Sequence, residues 1–186
     1  MEEVNLAIDI CKDAMDHAIE HLTKELSKVR TGKASPSMLN DLLVQYYGSP
    51  TPMGQVANIS VADARTLMIQ PWEKPMLKHI EQAIFEANMG VTPQNDGETV
   101  RISFPPLTEE RRREMVKKAK AMGEDSRVGL RNARRDAMDE IKKAVKNGFA
   151  EDAGKGKEAL VQDLTNKFSE RIDKMLEQKE KEIMTV

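Results

Sequence analysis

The stretch that decides the fold is EERRREMVKKAKAMGEDSRVGLRNARRDAMDEIKKAVK, residues 109–146. It holds no proline, and Thr108 ahead of it is a good N-cap. Glu109 and Glu110 suit the positive end of a helix. One helix over the whole stretch is roughly 57 Å long, well beyond the usual length in globular proteins. Met115, Ala119, Met122, Ser126, Gly129, Ala133, Ala137, Ile141 and Ala144 recur at helical spacing and form its expected seam. Most are small, so neighbouring helices can approach closely, while Gly129 costs about 1 kcal/mol relative to alanine.

The charges of this helix are segregated. Between Arg111 and Lys146, 13 Lys and Arg stand against 6 Asp and Glu, a local charge of +7. The whole chain carries −2, so the remainder sums to −9. With Arg127 at zero and 100° per residue, Arg113, Lys117, Lys120, Arg131, Arg134, Arg135 and Lys142 all fall between roughly −20° and 80°. The seam centres near 250°, and Glu114, Asp125, Asp136 and Asp139 lie between about 120° and 180°. Only Glu124 interrupts the basic arc. Interleaved signs would read as a solvated face laced with i,i+4 pairs. Segregated signs leave the arginines unpaired and available, and a guanidinium fork suits phosphate. The reading is a nucleic-acid backbone binder, with an acidic protein partner as its rival. No aromatic platform for reading bases is apparent.

A helix of this length needs partners for its seam. Residues 2–30 supply one, with Ile8, Cys11, Met15, Ile19, Leu22, Leu26 and Val29 on one face. A third helix follows a connection bracketed by Asn147-Gly148 and Gly154-Lys155-Gly156. It runs to about Ile183 with Leu160, Leu164, Phe168, Ile172 and Met175 in its seam. Between the first two helices the pattern changes. Strands are expected at 42–47, 56–61, 67–70 and 99–104, a helix at 75–88, and a turn at Asn95-Asp96-Gly97. The fold class is therefore α+β: a long three-helix bundle from residues 1–30 and 106–186, with a small α/β domain, 31–105, inserted into it. The two connections, Thr31, Gly32, Lys33, Ala34, Ser35 and Pro36 on one side and Phe104, Pro105 and Pro106 on the other, form a two-stranded tether suited to a hinge.

Catalytic signals are thin. The chain has no glycine-rich phosphate loop and no HExxH. His17 and His21 stand four apart on the first helix with no third ligand nearby, so they read as solvated histidines. The expectation is no enzyme, no cofactor and no metal; the rival enzyme reading, a site at the junction of the two parts, finds no residue set that nominates a reaction. Cys11 is the sole cysteine, so no internal disulfide forms. No apolar run approaches a membrane span, and the first residues are acidic where a targeting peptide is basic. These points suggest the cytoplasm, and the expected state is a monomer.

Several ordered stretches carry a family resemblance: Arg30-Thr31-Gly32-Lys33-Ala34-Ser35-Pro36, Tyr46-Tyr47-Gly48, Asp63-Ala64-Arg65-Thr66-Leu67, Pro105-Pro106-Leu107-Thr108-Glu109-Glu110-Arg111-Arg112 and Arg131-Asn132-Ala133-Arg134-Arg135-Asp136. Over nearly its whole length the chain resembles bacterial ribosome recycling factor. The resemblance implies an L-shaped molecule with a helical arm and a β/α/β head joined by a hinge. It also implies binding to rRNA of the large ribosomal subunit after termination. Elongation factor G, the second partner, hydrolyses GTP there to split the ribosome and release mRNA and tRNA. It places Arg131 against rRNA, with Arg127, Arg134 and Arg135 beside it. Gly129 departs from the family, which has a bulkier residue there. The alternative is a helical adaptor or chaperone-like protein that binds an acidic partner.

Overall fold

Three helices carry most of the chain: α1 (Glu2–Lys28), α5 (Glu109–Lys146) and α6 (Glu151–Met184). The computed structural model describes residues 2–185, so positions 1 and 186 of the expected bundle segments lie outside the described residues. The Thr108 hydroxyl accepts the Arg111 N–H at 3.2 Å, which caps α5 as its sequence suggests. Gly148 ends α5 with a φ of +101°, a left-handed conformation that side chains disfavour.

The chain divides into two compact units. Residues 2–29 and 113–182 form the helical unit, and residues 30–112 and 183–185 form the sheet-bearing unit. The expected boundaries were 1–30 with 106–186, and 31–105. The contacts of two arginines explain the difference. The Arg30 guanidinium donates to the Pro105 carbonyl at 2.8 Å and lies over the Phe104 ring at 5.3 Å. Arg112, 8% exposed, donates to the carbonyls of Ile183 and Thr185 at 2.9 and 2.8 Å. So Arg30, residues 106–112 and residues 183–185 group with the sheet.

In the helical unit α1 buries Val4, Cys11, Met15, Ile19, Leu22 and Leu26. Helix α5 buries Ala119, Gly123, Ser126, Leu130, Ala133, Ala137 and Ile141. This face differs from the expected seam. Gly123 and Leu130 join it, Gly129 is exposed, and Met115, Met122 and Ala144 are half-buried. Helical geometry puts its centre some tens of degrees closer to the basic arc than the sequence suggests. The reason is close approach. A Cβ on Gly123 would lie 2.4 Å from Leu176 Cδ1, so glycine here leaves room for the Leu176 side chain, which a larger residue would displace. Gly129 faces merely ordinary contact, with Ala18 Cβ 3.7 Å from a Cβ added there. Similarly, Gly154 and Gly156 belong to the helix α6 rather than to a connection, because α6 already starts at Glu151. Gly154 is buried, and a Cβ there would meet Val145 Cγ2 at 2.6 Å. At the start of the α6 seam Val161 is buried, whereas the expected Leu160 is 49% exposed.

The sheet-bearing unit holds two sheets. Strands β1 (Leu43–Tyr46) and β2 (Ser49–Pro52) form an antiparallel hairpin, while β3 (Ala57–Asp63), β4 (Thr66–Pro71), β5 (Pro93–Asn95) and β6 (Val100–Ser103) form an antiparallel sheet in the order β3-β4-β6-β5. The short turns α2 (Ser37–Asn40) and α3 (Met53–Val56) flank the hairpin. Helix α4 (Leu77–Glu86) follows a 3-10 turn at Lys74–Met76, and Asn88 just beyond it has a φ of +49°. Leu67 and Ile69 on β4 alternate with exposed or half-buried neighbours, as do Val100 and Ile102 on β6. With Val44, Met53, Ile80, Ile84 and Phe104 they make the core. Burying each such side chain contributes about 1.5–3 kcal/mol. Strands β2 and β5 are absent from the sequence reading. Both contain proline, which lacks an N–H and is tolerated at sheet edges, so the residues that signal a break also build an edge strand.

Candidate nucleic-acid interface

The basic arc of α5 lies wholly in the helical unit, but the structure divides it into two edges. Arg127 and Arg134 are half-buried, while Arg113, Lys117, Lys120, Arg131 and Arg135 are exposed. The rotated packing face explains the division, since Arg127 and Arg134 occupy the side of the arc nearest to it.

Arg127 bridges two helices. One guanidinium nitrogen pairs with Glu124 on α5 and the other with Asp173 on α6. These hydrogen bonds, Asp173's foremost, raise its pKa above the ordinary arginine value. Arg134 also reaches α6, donating to Gln162 Oε1 at 2.9 Å. The expectation that the arginines of this arc stand unpaired is therefore corrected. A helix considered alone could not reveal carboxylates supplied by its neighbour.

The outer edge differs. Arg131 lies 3.8 Å from Glu124, and Arg135 lies 3.7 Å from Asp136. Lys120 lies 3.6 Å from Glu180. All three cations are 62–68% exposed. Exposed pairs of this kind contribute about 0–1 kcal/mol and weaken with salt. A phosphate can replace such a carboxylate at little cost. It cannot easily displace the two carboxylates that hold Arg127. Beside Lys120 and Arg127 a cavity of about 340 Å³ is also lined by Asp173, Glu177 and Glu180. These carboxylates of α6 offset the positive potential there. Arg131 and Arg135 lie away from that cavity.

The nine connection residues all lie in the sheet-bearing unit. Ala34 N–H donates to the Ala64 carbonyl at 2.8 Å, and Phe104 N–H donates to the Arg65 carbonyl at 2.8 Å. Phe104 is buried, Thr31, Gly32, Ala34, Ser35 and Pro36 are half-buried, and Lys33, Pro105 and Pro106 are exposed. His17 and His21 are exposed, and His17 lies 3.7 Å from Glu20. Among the described residues no group of three or more His, Cys, Asp or Glu is placed to hold a metal ion. No helix among them is long and apolar enough to cross a membrane.

Comparison with known proteins gives a consistent result. Residues 22–184 match the family model described as ribosome recycling factor. The ribosome-recycling factor of Christiangramia forsetii is 54% identical over 186 residues, covering all of both chains. That of Cytophaga hutchinsonii is 52% identical, again over the full length of both. Among solved structures, a ribosome recycling factor in solution superposes with a TM-score of 0.85 at 36% identity, covering 100% of each chain. A second has a TM-score of 0.68 at 38% identity, covering 98% of this chain and 99% of the other. It is the T. thermophilus ribosome recycling factor, which is bound with the E. coli elongation factor G to the E. coli post-termination complex.

Proposed function

The chain belongs to the ribosome recycling factor family, and on that premise we propose that it takes apart the ribosome left when translation terminates. It docks on rRNA of the large subunit. Elongation factor G, by hydrolysing GTP, then drives separation into subunits and release of mRNA and tRNA. The chemistry is the partner's. This chain supplies binding and positioning, works in the cytoplasm as a monomer, and needs no cofactor.

The observation that supports the docking reading is the outer edge of the α5 arc, where Arg131 and Arg135 are held only by weak, exposed carboxylate contacts. Arg113, Lys117 and Lys120 extend the edge, and Arg127 and Arg134 shape it from behind. Phosphate contacts position a protein on nucleic acid without reading sequence, and this surface has that chemistry. In this reading the helical unit, residues 2–29 and 113–182, anchors the molecule, and the partner moves the sheet-bearing unit. The backbone bonds of Ala34 and Phe104 stiffen part of the tether.

The test is sedimentation of post-termination ribosomes with elongation factor G and GTP. Wild type should yield separated subunits. An Arg131→Glu/Arg135→Glu variant with unchanged thermal melting should leave the ribosomes intact. Wild-type splitting by that variant would overturn the docking surface.

A further inference from the structure

A second site lies in the sheet-bearing unit, at the tip of the β1–β2 hairpin. Tyr47 and Gly48 form that tip with φ values of +48° and +83°, the two-residue turn that matches strand twist. A tyrosine in left-handed backbone is strained, so its side chain needs a compensating contact. It has one in Glu73. The Tyr47 hydroxyl donates to Glu73 Oε2 at 2.6 Å, and the Tyr46 hydroxyl donates to Oε1 at 3.1 Å. The two rings stand edge to face, 4.7 Å between centroids. Next to Glu73, the Trp72 side chain is 69% exposed, although the backbone N–H of this residue donates to the Val56 carbonyl at 3.1 Å. Tyr46, Val56, Trp72, Glu73 and Met76 line a cavity of about 190 Å³.

The charge of Glu73 is the unanswered feature. Among the described residues no lysine, arginine or histidine pairs with it. The adjacent Lys74 lies 3.8 Å from Glu98 instead. A carboxylate offers roughly four acceptor positions, and the tyrosines fill two. The hydroxyls of Tyr46 and Tyr47 keep their protons more firmly than usual because Glu73 accepts them. The anion is thus held in place by neutral donors and still lacks a counter-charge. Aromatic faces beside it carry the negative end of the ring quadrupole, which attracts cations. The cavity is smaller than the roughly 300–1,000 Å³ usual for cofactors and drug-sized ligands, so it suits one side chain.

We propose that Tyr46, Trp72 and Glu73 form a socket for a cationic side chain, arginine or lysine, presented by a protein partner. The aromatic walls take the flat or apolar part of that side chain, and Glu73 takes its charge. A nucleic-acid occupant is disfavoured, since the carboxylate would repel its phosphates.

Trp72 is the only tryptophan in the chain, so its indole N–H signal in NMR reports on this site alone. The full-length protein is titrated with N-acetyl-arginine methylamide, with N-acetyl-lysine methylamide, and with the neutral isostere N-acetyl-citrulline methylamide. The better cation should move the Trp72 signal with an initial slope about fivefold steeper than citrulline, the ratio expected for an exposed cation–aromatic contact. The arginine and lysine arms distinguish the two side chains. Glu73→Gln should lower the cation slope toward that of citrulline, leaving only the part the aromatic faces supply. Equal slopes for cation and citrulline in the unaltered protein overturn the proposal, whether or not Glu73→Gln folds. So does a stronger response to oligouridylate than to either cation, which would mark a base-stacking surface.

Discussion

Two edges of one helix carry the same residue type to different ends. On the inner edge of α5, Arg127 and Arg134 join it to α6 through Asp173 and Gln162. On the outer edge, Arg131 and Arg135 hold only loose carboxylate contacts. Arginine's fork serves both purposes, because carboxylate and phosphate present similar oxygen geometry. Which purpose a given arginine serves depends on how far the packing face rotates toward it. A basic arc on a helical wheel therefore overstates the surface open to a ligand, and partner helices decide how much of it remains.

The strongest challenge to the contrast comes from an arginine whose geometry is wholly structural. Arg112→Met should strand the carbonyls of Ile183 and Thr185 and lower stability by about 3 kcal/mol. Denaturant midpoints measure this, and ribosome affinity of the folded fraction should not change. Next comes helix approach. Gly123→Ala should cost about 1–3 kcal/mol, because its methyl group meets Leu176. Gly129→Ala, on the exposed side, should instead stabilise by about 1 kcal/mol. Thermal melting of the pair checks both signs. Arg127→Ala should cost about 1 kcal/mol of stability in the same assay, losing a half-exposed bridge discounted for solvent screening.

Most of this order was legible in residue spacing. The three helices follow from seams at three and four residues, and the inserted α/β unit from the change of period between them. The rotation of the α5 face was not legible. Gly123 looks like any helical glycine until Leu176 of α6 stands against it, and periodicity within one helix carries no information about its neighbour. Likewise the proline-rich segment Ser49–Pro52 reads as a break and becomes an edge strand. Of the proposed binding surface, the sequence showed the arc and its centre near Arg131 but not the pairing of Arg127 with Asp173. The Tyr46–Trp72–Glu73 socket joins residues 26 and 27 positions apart, a separation that no short motif spans.

The smallest expected effect lies in the sheet-bearing unit. The N–H groups of Thr99 and Glu98 and the Thr99 hydroxyl hold the Asp96 pKa at about 2, down from its ordinary 3.8. A depressed carboxylate pKa stabilises the fold above the unfolded value. That contribution should be complete above about pH 4 and disappear as pH falls toward 2. Asp96→Asn should lack this part of the acid response, as followed by melting temperature against pH.

On α5, then, the proposal assigns phosphate to the outer edge, while the inner edge holds helices together. Salt dependence of large-subunit binding tests this division most directly, since each phosphate contact adds about 0.7–0.9 to the log–log slope. Arg131→Gln/Arg135→Gln should flatten the slope by about 1.5 units, and Arg127→Ala should leave it unchanged. An unchanged slope in the outer-edge variant, or an equal loss in Arg127→Ala, would contradict the division.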